Sequence, residues 1–397
     1  MNISNKAKNI APSPTLFIDA KAKKMQQEGI DIISFGAGEP DFDTPENIKN
    51  AGVKAIKEGK TKYTPVGGIP KLKDAICAKL KKDNNLLYSP SNIVVSCGAK
   101  HSLYNVFQCI LNPGDEVIIP VPYWVSYPEM VKMADGIPVF ADTSEKENFT
   151  LTKEKFLSVI TPRTKAIVIN SPSNPSGMLY SKSQLQALAD VAVEKNILII
   201  SDEIYEKMIY DNTSHLSVAS LGEEIKKITV VVNGLSKSHS MTGWRIGYIA
   251  CDAKLAEAVT NIQSHSTSNP CSISQFAGVE ALEGPQEKSA EMLAAFDKRR
   301  KVMVEGLHSL PGIKCSMPQG AFYAFPDISG LLGKLYNSKK ITSSDDLAGF
   351  FLEAAKVAIV PGSAFGMDNY MRLSYATSME NIEKGISRIK EAIEKLK

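Results

Sequence analysis

The chain is patterned as short apolar runs separated by polar, turn-rich stretches and amphipathic segments. Five of the runs stand out between positions 90 and 235: "NIVVS", "EVIIPV", "AIVIN", "ILIIS" and "ITVVV". They are continuous rather than alternating, which is the pattern of parallel strands buried on both faces. Between several of them lie segments with helical spacing, such as "KHSLYNVFQCIL" and "SKSQLQALADVAVEKN". Strand–helix alternation over this span predicts an α/β domain built on a largely parallel sheet.

The two ends of the chain read differently. The first dozen residues are polar and predict an arm or loop. "PTLFIDAKAKKMQQEG" predicts a helix stopping at Gly29. "DIISFGAGEPDFDTP" is a short strand running into a Gly/Pro/Asp loop. In "TPENIKNAGVKAIKEG", Thr44 is expected as N-cap, Pro45 at the first helical position and Gly59 as the stop. Beyond about Gly284 the character changes: a long amphipathic helix, then "GAFYAFPDI", "VAIVPGSAFG" and "YMRLSYA" as strands, then a C-terminal helix in "MENIEKGISRIKEAIEKLK". The expected organisation is a large domain over 45–284 and a smaller α+β domain combining 1–44 with 285–397.

Composition narrows the class. In 397 residues, 46 Lys+Arg stand against 43 Asp+Glu, a formal net charge of +3. That balance gives no electrostatic footprint for nucleic acid or a membrane surface. No run is long enough to cross a bilayer, and the N-terminus has no apolar signal core. The six cysteines, Cys77, Cys97, Cys109, Cys251, Cys271 and Cys315, form no CxxC pair and no disulfide framework. The chain is therefore expected in the cytoplasm. Its five histidines show no ligand spacing such as HExxH, which argues against a metal hydrolase.

In open α/β sheets, ligands bind outside the carboxyl ends of the strands. After "NIVVS" comes "CGAKH", a small-residue turn opening a helix, whose free N–H groups and dipole favour an anion such as phosphate. After "EVIIPVP" come Tyr123 and Trp124. "AIVIN" is followed by "SPSNPSG" with Asn174, "ILIIS" by Asp202 and Tyr205, and "ITVVV" by "NGLSK" with Ser236 and Lys237. Each feature alone has an ordinary structural explanation, as turn residue, cap, packing aromatic or solvated lysine. Together they place a phosphate turn, an aromatic, an amide, a carboxylate, a phenol and an amine on consecutive strand ends. An amine able to form a Schiff base, a carboxylate for a pyridinium nitrogen, a flat aromatic and a phosphate cradle describe a pyridoxal-phosphate site.

The motifs "GAGEPDFDTP", "TKYTPVGG", "PYWVSYPEM", "NSPSNPSG", "SDEIYE", "SKSHSMTGWRIGY", "GAFY" and "MRLSYAT" occur in order from about Ser34 to Thr377. In these the chain resembles the class I/II aminotransferases of fold type I, nearest the bacterial-type (Iβ) aspartate aminotransferases. The resemblance implies a three-layer large domain with a mostly parallel mixed sheet. One of its strands is antiparallel, and the apolar pattern does not locate it. It implies pyridoxal 5′-phosphate as cofactor, with Lys237 as the Schiff-base lysine and proton shuttle. Asp202 pairs with the ring nitrogen, Tyr205 and Asn174 with the ring oxygen, and Trp124 stacks on the ring. Ser236, Arg245 and the backbone of Gly98, Ala99 and Lys100 hold the phosphate. Tyr63 reaches it from the other subunit of a homodimer.

For the substrate, the resemblance assigns the α-carboxylate to Arg372, with close backbone approach at Gly38 and contacts from Trp124 and Asn174. Lys100 is assigned the distal carboxylate of an acidic amino acid. Ser13 and Thr15 belong to the segment that closes over substrate. Ala11 stands where some relatives carry a basic residue and accept larger dicarboxylates. The expected activity is aspartate:2-oxoglutarate transamination by a ping-pong mechanism. The alternatives are an aromatic or broad-specificity aminotransferase and, on the same scaffold, a C–S β-lyase. A DNA-binding regulator is disfavoured because the N-terminal arm is too short for an added domain.

Overall fold

The computed structural model describes residues 2–12 and 14–397. Its centre is a seven-stranded sheet. In chain order the strands are β1 (Ile93–Ser96), β2 (Glu116–Val121), β3 (Ile137–Asp142), β4 (Thr164–Asn170), β5 (Leu198–Asp202), β6 (Thr229–Gly234) and β7 (Gly247–Ala250). Their spatial order is β1-β7-β6-β5-β4-β2-β3, and the neighbours from β6 to β3 all run parallel. β7 pairs antiparallel with β1 on one side and β6 on the other, so it is the strand that the apolar pattern left unplaced.

The five apolar runs become β1, β2, β4, β5 and β6, and β1 and β6 are buried along their whole length. Two strands were not expected. β3 is one edge of the sheet; only Ala141 of its six residues is buried and it carries Pro138, so it does not read as a buried apolar run. β7 is only four residues long and follows the glycine-punctuated "MTGWRIG". Helices cover both faces. Leu103, Val106 and Phe107 of the helix Ala99–Ile110 pack with Val117, Val168 and Val232 on one. Leu185, Leu188 and Ala192 of the helix Lys182–Lys195 pack with Ile118, Ile167 and Ile199 on the other.

The chain ends meet. Ile33–Ser34 pairs in parallel with Val357–Ala358, and Phe35 shares a core with Phe296, Phe322, Tyr375 and Ile389. Met371–Ser374 lies between Val360–Pro361 and Tyr323–Ala324, antiparallel to both. The expected terminal helices are present as Pro14–Gln27, Glu287–His308 and Met379–Ile393.

The expectation for Thr44 is corrected. The helix runs Glu46–Lys57 with Pro45 at its cap position and no side-chain cap bond. Thr44 Oγ1 instead donates to the Ser240 carbonyl at 2.6 Å and accepts from Trp244 Nε1 at 3.0 Å, so a tertiary contact takes the hydroxyl that local sequence offered to the helix. All six cysteines are free thiols. No described helix is long and apolar enough to cross a membrane.

Candidate active site

Because β2, β4, β5 and β6 run parallel, their carboxyl ends share one edge of the sheet, and a cavity of about 500 Å³ opens there. Lys237 sits just past the end of β6, Asp202 at the end of β5, and Asn174 in the turn after β4. Trp124 follows β2 and lines the same cavity, with Ala99 and Lys100 entering from the helix after β1. Arg245 joins them because β7 is antiparallel: Gly247 pairs with Ser96 on one side and Gly234 on the other, so the amino end of β7 lies at the carboxyl ends of β1 and β6.

The floor is a buried carboxylate. Asp202 Oδ2 accepts from the Tyr127 hydroxyl at 2.6 Å, and Oδ1 from the Ile204 N–H at 3.2 Å. Burial pushes its pKa up to about 6, against the pull of those two hydrogen bonds. Asn170 fixes the strand end by donating Nδ2 to the Asp202 carbonyl at 3.0 Å.

Lys237 Nζ is partly buried and donates to the Gly38 carbonyl at 2.5 Å. Burial brings its pKa down to about 8; Glu39 and Asp202 oppose this, while Arg245 and Arg372 reinforce it. Its amine is therefore far more often neutral near pH 7 than a surface lysine's, as a nucleophile and proton carrier requires.

Opposite lies an anion cradle. Gly98 has φ +86°, and a Cβ there would run into the Arg245 guanidinium, so only glycine lets that cation close on the turn. Arg245 donates to the carbonyls of Thr242 at 2.9 Å and Cys97 at 3.3 Å, and itself holds φ 56°. The helix that begins at Ala99 supplies unpaired first-turn N–H groups and the positive end of its dipole. A Cβ on Gly247 would overlap the backbone of Gly98 and Ala99. Gly247→Ala is therefore expected to displace the turn, costing about 1–3 kcal/mol of stability. It should also weaken cofactor binding at least ~10-fold, measured by fluorescence titration of the apoprotein.

On the far wall Arg372 is buried. Nη1 donates to Asn174 Oδ1 at 3.1 Å and Nη2 to the Gly36 carbonyl at 2.8 Å, with the Tyr323 ring 4.5 Å from the guanidinium carbon. Its Nε has no hydrogen-bond partner among the described residues. Tyr205 and Tyr323 join hydroxyls at 2.8 Å. Lys100 lies over the Trp124 ring at 4.9 Å, its pKa lowered by desolvation and then by Arg245.

Of the residues expected from sequence, Gly38, Ala99, Lys100, Trp124, Asn174, Asp202, Tyr205, Ser236, Lys237, Arg245, Arg372 and Thr15 line this one cavity, and Gly98 adjoins it. Tyr63 does not; it is 90% exposed. Ser13 lies outside the described residues. Sequence reasoning gave no role to Tyr127, Asn170 or Tyr323, which also line the cavity. Tyr127 and Tyr323 lie inside quoted motifs, but their partners are 75 and 118 residues away.

The set fits pyridoxal phosphate on observations of this structure. A buried carboxylate of raised pKa suits a proton-bearing ring nitrogen. A glycine-shaped turn under an arginine suits a phosphate. A partly buried amine of lowered pKa suits an aldehyde.

Behind the site, Glu203, Glu206 and His215 place ligand-type atoms within 4.8 Å of one another. They already form a buried ion-pair network: Lys79 pairs with Glu206, and His215 Nε2 meets Glu203 Oε2 at 3.0 Å.

Comparison with known proteins agrees with this geometry. The family model described as aminotransferase class I and II matches residues 30–389. The chain is 52% identical over 387 residues to an aspartate aminotransferase of Bacillus sp. (strain YM-2), covering 98% of each. The crystal structure of the aspartate aminotransferase from Rhizobium meliloti superposes with a TM-score of 0.97 at 43% identity, covering 100% of both chains. That of the Thermus thermophilus aspartate aminotransferase with maleate gives 0.93 at 42% identity, covering 99% of this chain and 100% of the other.

Proposed function

The chain belongs to the class I and II aminotransferase family, the pyridoxal-phosphate-dependent transaminases, and from that premise we propose that it is an aspartate:2-oxoglutarate aminotransferase working by a ping-pong mechanism. Four cations besides Lys237 line the cavity: Lys23, Lys100, Arg245 and Arg372. The observation that carries the substrate assignment is that two of them come from separate elements, buried Arg372 from the strand Met371–Ser374 and Lys100 from the helix Ala99–Ile110. A C4 or C5 dicarboxylic amino acid offers one carboxylate to each. The relatives named above as aspartate aminotransferases, one of them with maleate, support the same reading.

Bound in this cavity, pyridoxal phosphate supplies an aldehyde and an electron-withdrawing ring that store the amino group between the two half-reactions. The residues that hold it are Lys237 at the aldehyde and Asp202 at the ring nitrogen. Tyr205 and Asn174 serve the ring oxygen, and Trp124 the ring face. Ser236, Arg245 and the Gly98–Lys100 turn take the phosphate. Arg372 forks onto the α-carboxylate, a planar bidentate contact that an ammonium cannot make. Gly38 has no side chain to obstruct the substrate. Lys237 Nζ, poised between charged and neutral, would take the proton from substrate Cα and pass it to the cofactor's aldehyde carbon within the same half-reaction, and would carry a proton the opposite way in the second. Thr15 and Ser13 belong to the segment that closes over the bound acid.

The same proposal includes a homodimer in which Tyr63 serves the partner's phosphate, a cytoplasmic location, and a division into a 45–284 large domain and a smaller one of 1–44 with 285–397. The exposure of Tyr63 in a single chain supports the dimer.

A donor panel tests the substrate assignment. With 2-oxoglutarate as acceptor, kcat/KM for aspartate should exceed that for phenylalanine and alanine by ~10–100-fold, the value of one charge-assisted contact. Lys100→Ala should remove most of that margin. A preference for phenylalanine over aspartate in the parent enzyme would sink the assignment.

A further inference from the structure

Asp202 is one of two carboxylates that line the cavity, with Glu39, and its hydrogen-bond partners differ in kind. The Ile204 N–H comes from the next turn of its own chain segment. The other donor, Tyr127, is brought from the helix Ser126–Met133, 75 residues away, at 2.6 Å. The Tyr127 ring is wedged in the apolar layer with Ile119, Met130, Val168 and Ile200, and stands edge-on to Trp124 with centroids 5.2 Å apart. Sheet core and the stacking tryptophan thus fix the ring, and the hydroxyl is its only polar part. Burial and the adjoining Asp202 push the phenol's own ionisation well above its ordinary value, so it acts as a donor throughout the working pH range.

We propose that Tyr127 is a positioning residue for transamination: its hydroxyl holds the Asp202 carboxylate charged and fixed in orientation for the cofactor's ring nitrogen. The charged and titratable groups around Asp202 make this hydrogen bond necessary. Glu203, next in the chain, disfavours the carboxylate's charge, as does burial. Lys237, from the turn after β6, favours it but is itself half neutral near pH 8. Tyr205 is buried beside it and spends its hydroxyl on Tyr323. Among the described residues Tyr127 is the one side-chain donor to the carboxylate, and its phenol, whose ionisation burial and Asp202 push well above the ordinary value, brings no charge of its own.

The inference rests on the proposal that Asp202 meets the ring nitrogen, and the test separates the two. Apoprotein prepared from the holoenzyme is titrated with pyridoxal phosphate and with its 1-deaza analogue, in which carbon replaces the ring nitrogen. The parent, Tyr127→Phe and Asp202→Asn are compared. Phe fills the same apolar slot, so the fold is retained. Tyr127→Phe should weaken pyridoxal phosphate binding by ~10–100-fold, the loss of one hydrogen bond to a charged group, and leave the deaza analogue within about twofold. Equal losses on both probes, or no loss on either, would show that the hydroxyl serves only the shape of the pocket, and would overturn the inference. Asp202→Asn should erase the parent's preference for the nitrogen-bearing probe. If that preference is absent in the parent or survives in Asp202→Asn, the Asp202 assignment itself fails and takes the Tyr127 role with it. If Asp202→Asn behaves as expected and Tyr127→Phe does not, only the Tyr127 role falls.

Discussion

Lys237→Ala is expected to fold and to bind pyridoxal phosphate noncovalently, while losing the visible absorbance of the lysine-bound cofactor. Transamination should fall ~10⁴-fold or more, since nucleophile and proton carrier are lost together. The fold should survive because the Nζ gives up one hydrogen bond, to the Gly38 carbonyl, while the strand before it is held by the sheet ladder. Cofactor should still be retained because Asp202, Arg245 and the Gly98 turn are untouched. The lysine also carries a pH signature. Its pKa of about 8, against 10.5 for the free side chain, means roughly 300-fold more neutral amine at pH 7. The sign follows: burial disfavours the charged form, so the proton leaves earlier as pH rises. Acetylation of Lys237 in the apoprotein, followed by peptide mass spectrometry, should climb through pH 8, whereas surface lysines respond above pH 10. Lys237→Arg should not rescue activity, because a guanidinium stays protonated. Turnover in Lys237→Ala within tenfold of the parent would remove this lysine from the chemistry.

What the sequence disclosed, and what it hid, follows from the range of the interactions involved. The strand ends were legible because buried parallel strands are continuous apolar runs, so Asn174, Asp202, Ser236 and Lys237 were already ordered along one edge. The edge strand Ile137–Asp142 was hidden by its own exposure, and Gly247–Ala250 by its brevity. Thr44 misled because a local cap rule competes with a tertiary bond to the Ser240 loop, and the tertiary bond won. Arg245 could be read as a phosphate ligand only by resemblance, since its approach depends on the antiparallel β7. Tyr127 and Tyr323 were visible as residues but mute as roles, because their partners lie far along the chain and on other elements. The same holds for the ion pairs behind the site. Nothing in "CAKLKKDNN" announces that Lys79 of all its lysines is the buried one.

Lys79→Met is expected to destabilise the protein by about 3–5 kcal/mol, the cost of leaving one member of a buried ion pair alone. Lys79 and Glu206 have side chains only 9% and 6% exposed. Asn84 bridges them, accepting from Lys79 Nζ at 2.7 Å and donating to Glu206 Oε2 at 2.8 Å. Although burial opposes it, Lys79 and then His215 hold the Glu206 carboxyl down to about 2, below its ordinary 4.5. A carboxylate depressed in this way stabilises the fold fully above pH 4.5, and that stabilisation is lost as pH falls toward 2. Without Lys79, burial dominates and Glu206 titrates above its unfolded value. The sign then reverses: the charge is a penalty at neutral pH that protonation relieves on acidification. Urea unfolding midpoints of parent and Lys79→Met should therefore converge between pH 7.5 and pH 5. Adding Glu206→Gln to Lys79→Met should recover most of the loss at pH 7.5, because a neutral amide can still accept from Asn84 and carries no buried charge. A loss from Lys79→Met that is independent of pH and unrelieved by Glu206→Gln would mean that Lys79 stabilises the fold by packing its methylenes rather than by its charge. Since Glu206 follows Tyr205 directly, this network also anchors the turn that carries Asp202 and Tyr205 into the cavity. The buried charges behind the sheet thus hold in place the carboxylate and phenol proposed to act in front of it.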